Sequence, residues 1–332
     1  MKAMVLEAAD TVAPKDIRPP EVEDGGTLVR VTHSGICGTD VKIFHNDIQV
    51  HHPLVMGHEM IGEAIEGKST GARVIVDPVY FCGRCYLCSH GQMHLCTNGG
   101  LFGRDRDGGF AEYFAALPGS VYELPDDIAG DAPLIQVLTT CLHGHRLAQI
   151  FAGESVVVTG LGVTGQLHIQ LAKALGAGKV IGITRSAWKR ELAETLGADL
   201  TLAPGDDMIE QIRDATEGRG ADLVIETVAK VTSLGDAIHM ARTGGRLMLF
   251  GIYTETEGAL PFYDFYLKEL NLINTRAAQP KDYPASIDLV RRGAVKLAPL
   301  ITHTLPLDEL DTALGMLDSG TGRQMKILLD HG

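Results

Sequence analysis

The stretch Val156-Val157-Val158-Thr159-Gly160-Leu161-Gly162-Val163-Thr164-Gly165 decides the fold class. Three successive valines make the short apolar run of a strand covered on both faces. G-x-G-x-x-G follows at once, and Val163, Leu167, Leu171 and Leu175 then recur at helical spacing. A glycine triplet alone is a weak signal whose plain reading is a turn. Between a strand and a helix, inside a βαβ unit, it reads as a dinucleotide-binding fingerprint. Gly160 permits the tight turn, Gly162 lets the backbone approach a pyrophosphate, and Gly165 lets the helix pack on the strand. Val163 and Thr164 open the helix, whose N-terminus faces the phosphate charge.

Downstream the alternation continues. Strands are expected over residues 179–184, 200–202, 221–226, 246–250 and 270–274, with helices over 187–196, 208–215 and 232–241. This predicts a parallel, doubly wound sheet. The first ~130 residues read differently, with strand signals at 1–6, 28–33, 59–66 and 73–76 punctuated by Gly and Pro, as in a β-rich, loop-rich domain. Helices are expected over 282–292 and 307–317, and a strand over 324–329 with no helix after it. That last strand is expected to return to the first domain. The predicted division is therefore 1–135 with 278–332 as one domain and 136–277 as the other; 332 residues suit two domains of ~150 each.

Composition narrows the function. The formal charge of −13 argues against a nucleic-acid or anionic-membrane surface. No run approaches the ~18 apolar residues of a membrane span. The N-terminus meets acid at Glu7, too early for a signal peptide, so a cytoplasmic protein is expected.

The second strand of the βαβ unit ends Ile183-Thr184-Arg185-Ser186. An NAD site usually presents Asp or Glu about 20 residues on, for the ribose 2′-hydroxyl. Thr184 stands there instead, nineteen residues past Gly165, with Arg185 next and Lys189 close by. Loss of the carboxylate removes repulsion of a 2′-phosphate. Arg185 can pair with that phosphate in a bidentate way and Ser186 can donate a hydrogen bond. NADP is therefore favoured over NAD, the plainer reading of Arg185 and Lys189 being solvated helix-start charges.

Four of the six cysteines, Cys82, Cys85, Cys88 and Cys96, fall within fifteen residues. In a reducing compartment such a cluster is metal-binding rather than disulfide-bonded. Four thiolates suit a closed, tetrahedral structural zinc, and the spacing disfavours an iron–sulfur cluster. A second set is dispersed: Cys37 follows a predicted strand, and His58-Glu59 lie in one turn. Cys, His and a carboxylate with an open position would make a catalytic zinc. Alone, Cys37 reads as a buried thiol and His58 as a satisfied histidine; the fingerprint and the cysteine cluster shift that weighting.

Residues 35–40, 57–59, 82–96 and 160–165, in that order and spacing, resemble the zinc-dependent medium-chain dehydrogenase/reductase family of alcohol, polyol, sugar and threonine dehydrogenases. The resemblance covers essentially the whole chain. It implies an α/β fold, with an N-terminal β-rich, GroES-like catalytic domain and a Rossmann domain. It implies two zinc ions per chain, the catalytic one on Cys37 and His58, with Glu59 beside the metal and exchangeable with water. Gln136, in Gln136-Val137-Leu138-Thr139-Thr140-Cys141-Leu142-His143, stands where polyol-type members carry a Glu ligand. Cys141 in the same run reads as a small buried residue.

The resemblance further implies Thr39 as first proton acceptor. Lys42 stands where the family often has the relay His, which leaves Lys42, His45, or cofactor ribose and water to carry the proton on. His51 and His52 read as surface-loop residues. Thr227, Val228, Phe250, Gly251 and Ile252 end strands that border the nicotinamide in the family; Asn274 and Thr275 end the last such strand, and Lys326 matches a cation near the pyrophosphate. The implied reaction is reversible hydride transfer between a polar secondary alcohol (a polyol or sugar) and NAD(P), in a homotetramer or homodimer. A short aliphatic alcohol or an amino-alcohol is the alternative substrate. A non-catalytic cofactor-binding relative is the rival of another class, and the intact Cys37, His58 and Glu59 set disfavours it. A nucleic-acid zinc module is disfavoured by the charge.

Overall fold

The computed structural model describes residues 1–128, 130–320 and 322–332. The chain divides into two compact units: Met1–Thr139 with Ala277–Arg291 and Leu297–Gly332, and Thr140–Arg276 with Arg292–Lys296. The short 292–296 piece was not expected in the second unit. Its attachment is local: the Lys296 amide donates to Gln170 Oε1, and Gln170 Nε2 donates back to the Lys296 carbonyl.

The second unit is built on a six-stranded parallel sheet. Its strands run in the order Leu200–Leu202, Lys179–Ile183, Ser155–Thr159, Ala221–Glu226, Ala241–Leu249 and Asn271–Asn274. The sequence order along the sheet is thus 3-2-1-4-5-6, and it reverses between Ser155–Thr159 and Ala221–Glu226. Connections leave in opposite directions at such a switch point and open a crevice above the strand ends. Val156, Val157, Val158, Leu223, Val224 and Ile225 are fully buried, because helices cover both faces. The sixth strand, Asn271–Asn274, is largely exposed, as edge strands are.

Two glycines of the fingerprint are demanded by the backbone. Gly160 has φ +80°, and a Cβ there would lie 2.6 Å from Thr227 Oγ1. A Cβ on Gly165 would lie 1.9 Å from the Gly160 carbonyl oxygen. At Gly162 a Cβ would meet nothing within 4 Å, so that face is open.

The first unit is β-rich. Thr27–Gly35 lies at the centre of a seven-stranded sheet, pairing with Glu59–Glu66, Tyr113–Ala116 and Lys326–Asp330. The C-terminal strand thus returns to the first unit, as its sequence predicts. Ile301–Pro306, not anticipated, pairs parallel to it. It escapes a periodicity reading because it carries Thr, His and Pro and is only partly covered. Phe262–Leu267 is a second unanticipated element, a short helix of six residues with none fully buried.

Behind the glycine loop, His145 on helix Leu134–Ala148 and His168 on helix Val163–Ala174 share a hydrogen bond of 2.9 Å (Nε2 to Nδ1), both rings buried. His168 packs edge-on against Phe250 at 4.5 Å. Burial holds His145 down at about 3 and His168 well below the usual histidine range. Unfolding exposes both rings to protonation below pH ~6.5. Between that pH and the depressed folded values the unfolded chain binds more protons, so stability is lost as pH falls. Urea unfolding is expected to show a loss of roughly 1 kcal/mol per pH unit or more from this pair between pH 6.5 and 5. The His145→Gln/His168→Gln double variant should flatten the dependence by that amount, and equal slopes in both proteins would refute the assignment.

Candidate metal centres and cofactor site

Strand Thr27–Gly35 ends at the first metal-ligand group. Cys37 occupies the N-cap of helix Gly38–Phe44, and His58-Glu59 open strand Glu59–Glu66. Because Gly35 and Glu59 are register partners, the sheet itself brings the two motifs together. One ligand atom each of Cys37, His58 and Glu59 lies within 4.8 Å of the others. Asp40, whose role the sequence left unassigned, supports two of them. Its Oδ2 accepts from the Cys37 backbone N–H at 2.8 Å, and its Oδ1 lies 3.4 Å from His58 Nδ1. That orientation leaves His58 Nε2 for a metal, the arrangement in which a carboxylate fixes a ligating imidazole.

The electrostatics fit a cation. Burial alone would lower the His58 pKa, yet the Asp40 carboxylate and the Cys37 sulfur outweigh it and hold the ring well above its usual value. A field that holds an extra proton this firmly favours a divalent cation for the same reason. The donors that cluster here among the described residues, one each from Cys, His and Glu, match an open zinc site.

Lys326 lies beside this group. Its Nζ donates to Glu59 Oε1 and Oε2 at 2.9 and 2.7 Å and to the Ile36 carbonyl at 2.9 Å, with 3% of the residue exposed. Burial lowers its pKa, and the Glu59 charge more than compensates. The resemblance implies a cation near the pyrophosphate at this position; within its own unit the ammonium pairs with Glu59 and neutralises it. The reason is the strand pairing, invisible in the local sequence, which sets Lys326 beside the Gly35–Glu59 seam. Gly35 is required there, since a Cβ would come within 2.2 Å of Glu59 Oε2.

The other first-unit candidates are more scattered. Thr39 and Lys42 are partly buried on helix Gly38–Phe44. His45 caps that helix and pairs with Asp10 at 2.5 Å and Asp318 at 3.4 Å, which raises its pKa. His51 and His52 are exposed. Gln136 is buried in the first turn of helix Leu134–Ala148; Cys141, further along the same helix and in the second unit, is buried too, and desolvation pushes its thiol up.

Cys82, Cys85, Cys88 and Cys96 form the second group. All are free thiols, with Sγ–Sγ distances of 3.5 Å (Cys85–Cys88), 3.5 Å (Cys82–Cys96) and 3.7 Å (Cys85–Cys96). Zinc–sulfur bonds of ~2.3 Å in a tetrahedron place sulfurs about 3.8 Å apart, so the donor set fits. The Arg84 and Cys85 amides point at Cys82 and hold it down at about 6, while desolvation pushes Cys88 up to about 12. Four sulfurs at this spacing cannot all ionise unless a cation neutralises them.

In the second unit the fold collects the remaining candidates. Thr159 is register partner of both Ile183 and Glu226, Glu226 of Leu249, and Leu249 of Asn274. The residues just past these, residues 160–165, Thr184-Arg185-Ser186, Thr227-Val228, Phe250-Gly251-Ile252 and Thr275, therefore emerge along one sheet edge. Val228 and Ile252 are 43% and 58% exposed, apolar side chains available to a planar ring. Arg185 is exposed, and Arg190 Nη1 donates to the Thr184 and Arg185 carbonyls at 2.8 and 3.0 Å, fixing the turn that presents it. Lys189 is half-buried with its ammonium 5.4 Å from the Trp188 ring, and burial lowers its pKa. Its backbone carbonyl accepts from Gln166 Nε2.

The chain is similar along its length to known proteins. A family model described as zinc-binding dehydrogenase matches residues 163–292, and one described as alcohol dehydrogenase GroES-like domain matches residues 23–126. The chain is 30% identical to the 2-dehydro-3-deoxy-L-galactonate 5-dehydrogenase of Pseudoalteromonas atlantica, over 92% of each chain. It is 32% identical to the L-threonine 3-dehydrogenase of Pyrococcus abyssi, over 94% of each. A zinc-binding dehydrogenase of Sinorhizobium meliloti 1021, solved bound to NADP, superposes with a TM-score of 0.93 at 32% identity, covering 99% of this chain and 98% of that one.

Replacing Cys85 by Ser is expected to remove about one zinc equivalent per chain, measured by mass spectrometry of the metal content, and to open residues 82–100 to proteolysis. Unchanged metal content would show that the four thiols do not hold a zinc.

With both family models, the full-length relatives and the two donor sets in agreement, the chain belongs to the zinc-type medium-chain dehydrogenase/reductase family and is an oxidoreductase.

Proposed function

We propose that this enzyme oxidises a polar secondary alcohol, a polyol or sugar derivative, reversibly, with NADP as the preferred hydride acceptor. The observation that carries the cofactor choice is the exposed Arg185 after Thr184, at a strand end with no carboxylate to repel a 2′-phosphate. The NADP in the Sinorhizobium meliloti protein supports it. Polyol and sugar substrates are supported by the names of relatives, which include a sorbitol dehydrogenase of Halalkalibacterium halodurans. The threonine dehydrogenases among the relatives favour an amino-alcohol as the second reading.

Two zinc ions per chain are part of the proposal, one on the four thiolates and one on Cys37, His58 and Glu59, with Gln136 as a further ligand. The catalytic ion, when bound, supplies a Lewis acid that lowers the pKa of the alcohol oxygen. The remaining work belongs to the chain. Thr39 takes the hydroxyl proton as its own hydroxyl proton passes on, with Lys42, one turn along the same helix, as the next group of the relay once it has released a proton to solvent. The nicotinamide, when bound, would supply the acceptor for the carbinol hydride, and the exposed Val228 and Ile252 would border it. Lys326 holds Glu59 and tempers the negative charge of the donor set. A homodimer or homotetramer in the cytoplasm completes the reading; no helix among the described residues is long and apolar enough to cross a membrane.

An absorbance assay of NADP⁺ and NAD⁺ reduction against polyols, aldoses, amino alcohols and short alcohols tests the proposal. Turnover is expected with NADP⁺ well above NAD⁺, and Arg185→Asp should invert the preference by about tenfold or more. Preference for NAD⁺ in the natural protein would overturn the cofactor assignment. Cys37→Ser and His58→Ala are each expected to lower kcat by at least about a hundredfold while the thiolate-bound zinc is retained. Unchanged turnover would overturn the catalytic assignment.

A further inference from the structure

Glu226 is a carboxylate with no exposed surface, at the last position of strand Ala221–Glu226, directly at the point where the strand order reverses. No cation pairs with it among the contacts of the described residues. Donors from the surrounding loops converge on it instead. Oε1 accepts from the Val228 backbone N–H at 2.8 Å and from Ser233 Oγ at 2.8 Å, with Thr159 Oγ1 at 3.5 Å. Oε2 accepts from the Ala229 N–H at 3.0 Å and from the Tyr253 hydroxyl at 2.5 Å. Its backbone carbonyl accepts from the Phe250 and Gly251 N–H groups at 2.9 and 3.1 Å.

The neighbouring Thr227 extends the network. Its hydroxyl donates to the Thr159 and Gly160 carbonyls at 2.8 and 2.9 Å. Residues 226 and 227 thus tie together the glycine loop, the 227–233 turn and the 250–253 loop. The turn they hold is conformationally demanding: Ala229 has φ +62°, and a Cβ on Gly251 would lie 2.7 Å from the Ala229 Cβ. A buried anion surrounded by donors is the group that keeps such a turn closed, because hydrogen bonds to a charged acceptor are worth more than neutral ones. Burial, and then the Glu226 hydrogen bond, push the Tyr253 phenol up, so it remains a donor at any working pH.

We propose that Glu226, with Tyr253 and Ser233 as its side-chain partners, is a positioning residue for the reaction: it holds Val228 and the 250–252 loop where they border the nicotinamide, without touching substrate or cofactor itself. The inference rests on the reading of these strand ends as the cofactor site. A side chain that only filled space there would not need to be acceptor-only. Gln in its place would turn an NH₂ group against backbone N–H donors, whereas Asp keeps the charge at shorter reach.

The test is NADPH binding by fluorescence titration, alongside kcat, KM and melting temperature, in the full-length protein and in Tyr253→Phe, Ser233→Ala, Glu226→Gln and Glu226→Asp. Tyr253→Phe is expected to raise the NADPH Kd about three- to tenfold, Glu226→Gln about thirtyfold or more, and Glu226→Asp to recover part of that loss. The melting temperature of Tyr253→Phe should change little, and the thiolate-bound zinc should be retained in all four. A Kd for NADPH unchanged in Tyr253→Phe and Ser233→Ala, with only thermal stability altered, would overturn the positioning role and leave the cofactor site standing. Should Glu226→Gln fail to fold, those two milder variants decide the question alone. A natural protein that binds neither NADPH nor NADH would overturn the cofactor site and the inference together.

Discussion

The seam between strands Ser155–Thr159 and Ala221–Glu226 is the constraint on which the nucleotide unit depends. A parallel strand must be followed by a crossover, and right-handed crossovers from two adjacent strands going opposite ways leave their first turns apart. The gap sits above Thr159 and Glu226, which are register partners. The glycine loop fills one side of it and the 227–233 turn the other. Thr227 bridges them through two hydrogen bonds to backbone carbonyls. The three glycines, the exposed Val228 and the buried Glu226 are all consequences of keeping this gap open and its walls in place.

A comparable constraint governs the metal-ligand group of the first unit. Antiparallel pairing of Thr27–Gly35 with Glu59–Glu66 sets Gly35 opposite Glu59, and the antiparallel return of Lys326–Asp330 adds the ammonium. Buried charges are costly unless paired and hydrogen-bonded. Here Glu59 is paired with Lys326, and the Asp40 carboxylate receives the Cys37 amide and faces His58. The excess of negative donors over the single lysine is what suits the group to a cation. The cysteine lobe solves the same problem without any lysine, since four closely spaced sulfurs call for the metal itself.

Much of this was legible in the chain. The change from alternating short strands to strand–helix repeats was readable in the chain, and the contact division between the two units falls inside helix Leu134–Ala148. Both donor sets were legible because metal ligands are chemically rare residues at restricted spacings. Less legible were elements without periodicity. Strand Ile301–Pro306 and helix Phe262–Leu267 are short and bury little, so too few positions are available to set a period.

The sequence by itself determined the fold class, the glycine turn and the two candidate donor sets. Each depends on local backbone requirements or on donor chemistry that only a few residue types supply. Only the tertiary structure decided what Asp40, Glu226 and Lys326 do. A lone Asp or Glu in a chain reads as a solvated charge, and a terminal Lys as a free cation. Chain contacts over separations of 267 residues between Lys326 and Glu59 and 67 between Thr159 and Glu226 bury these charges and give them partners. Burial then fixes their roles, because a charge that has lost its solvent must be satisfied by whatever the fold places beside it.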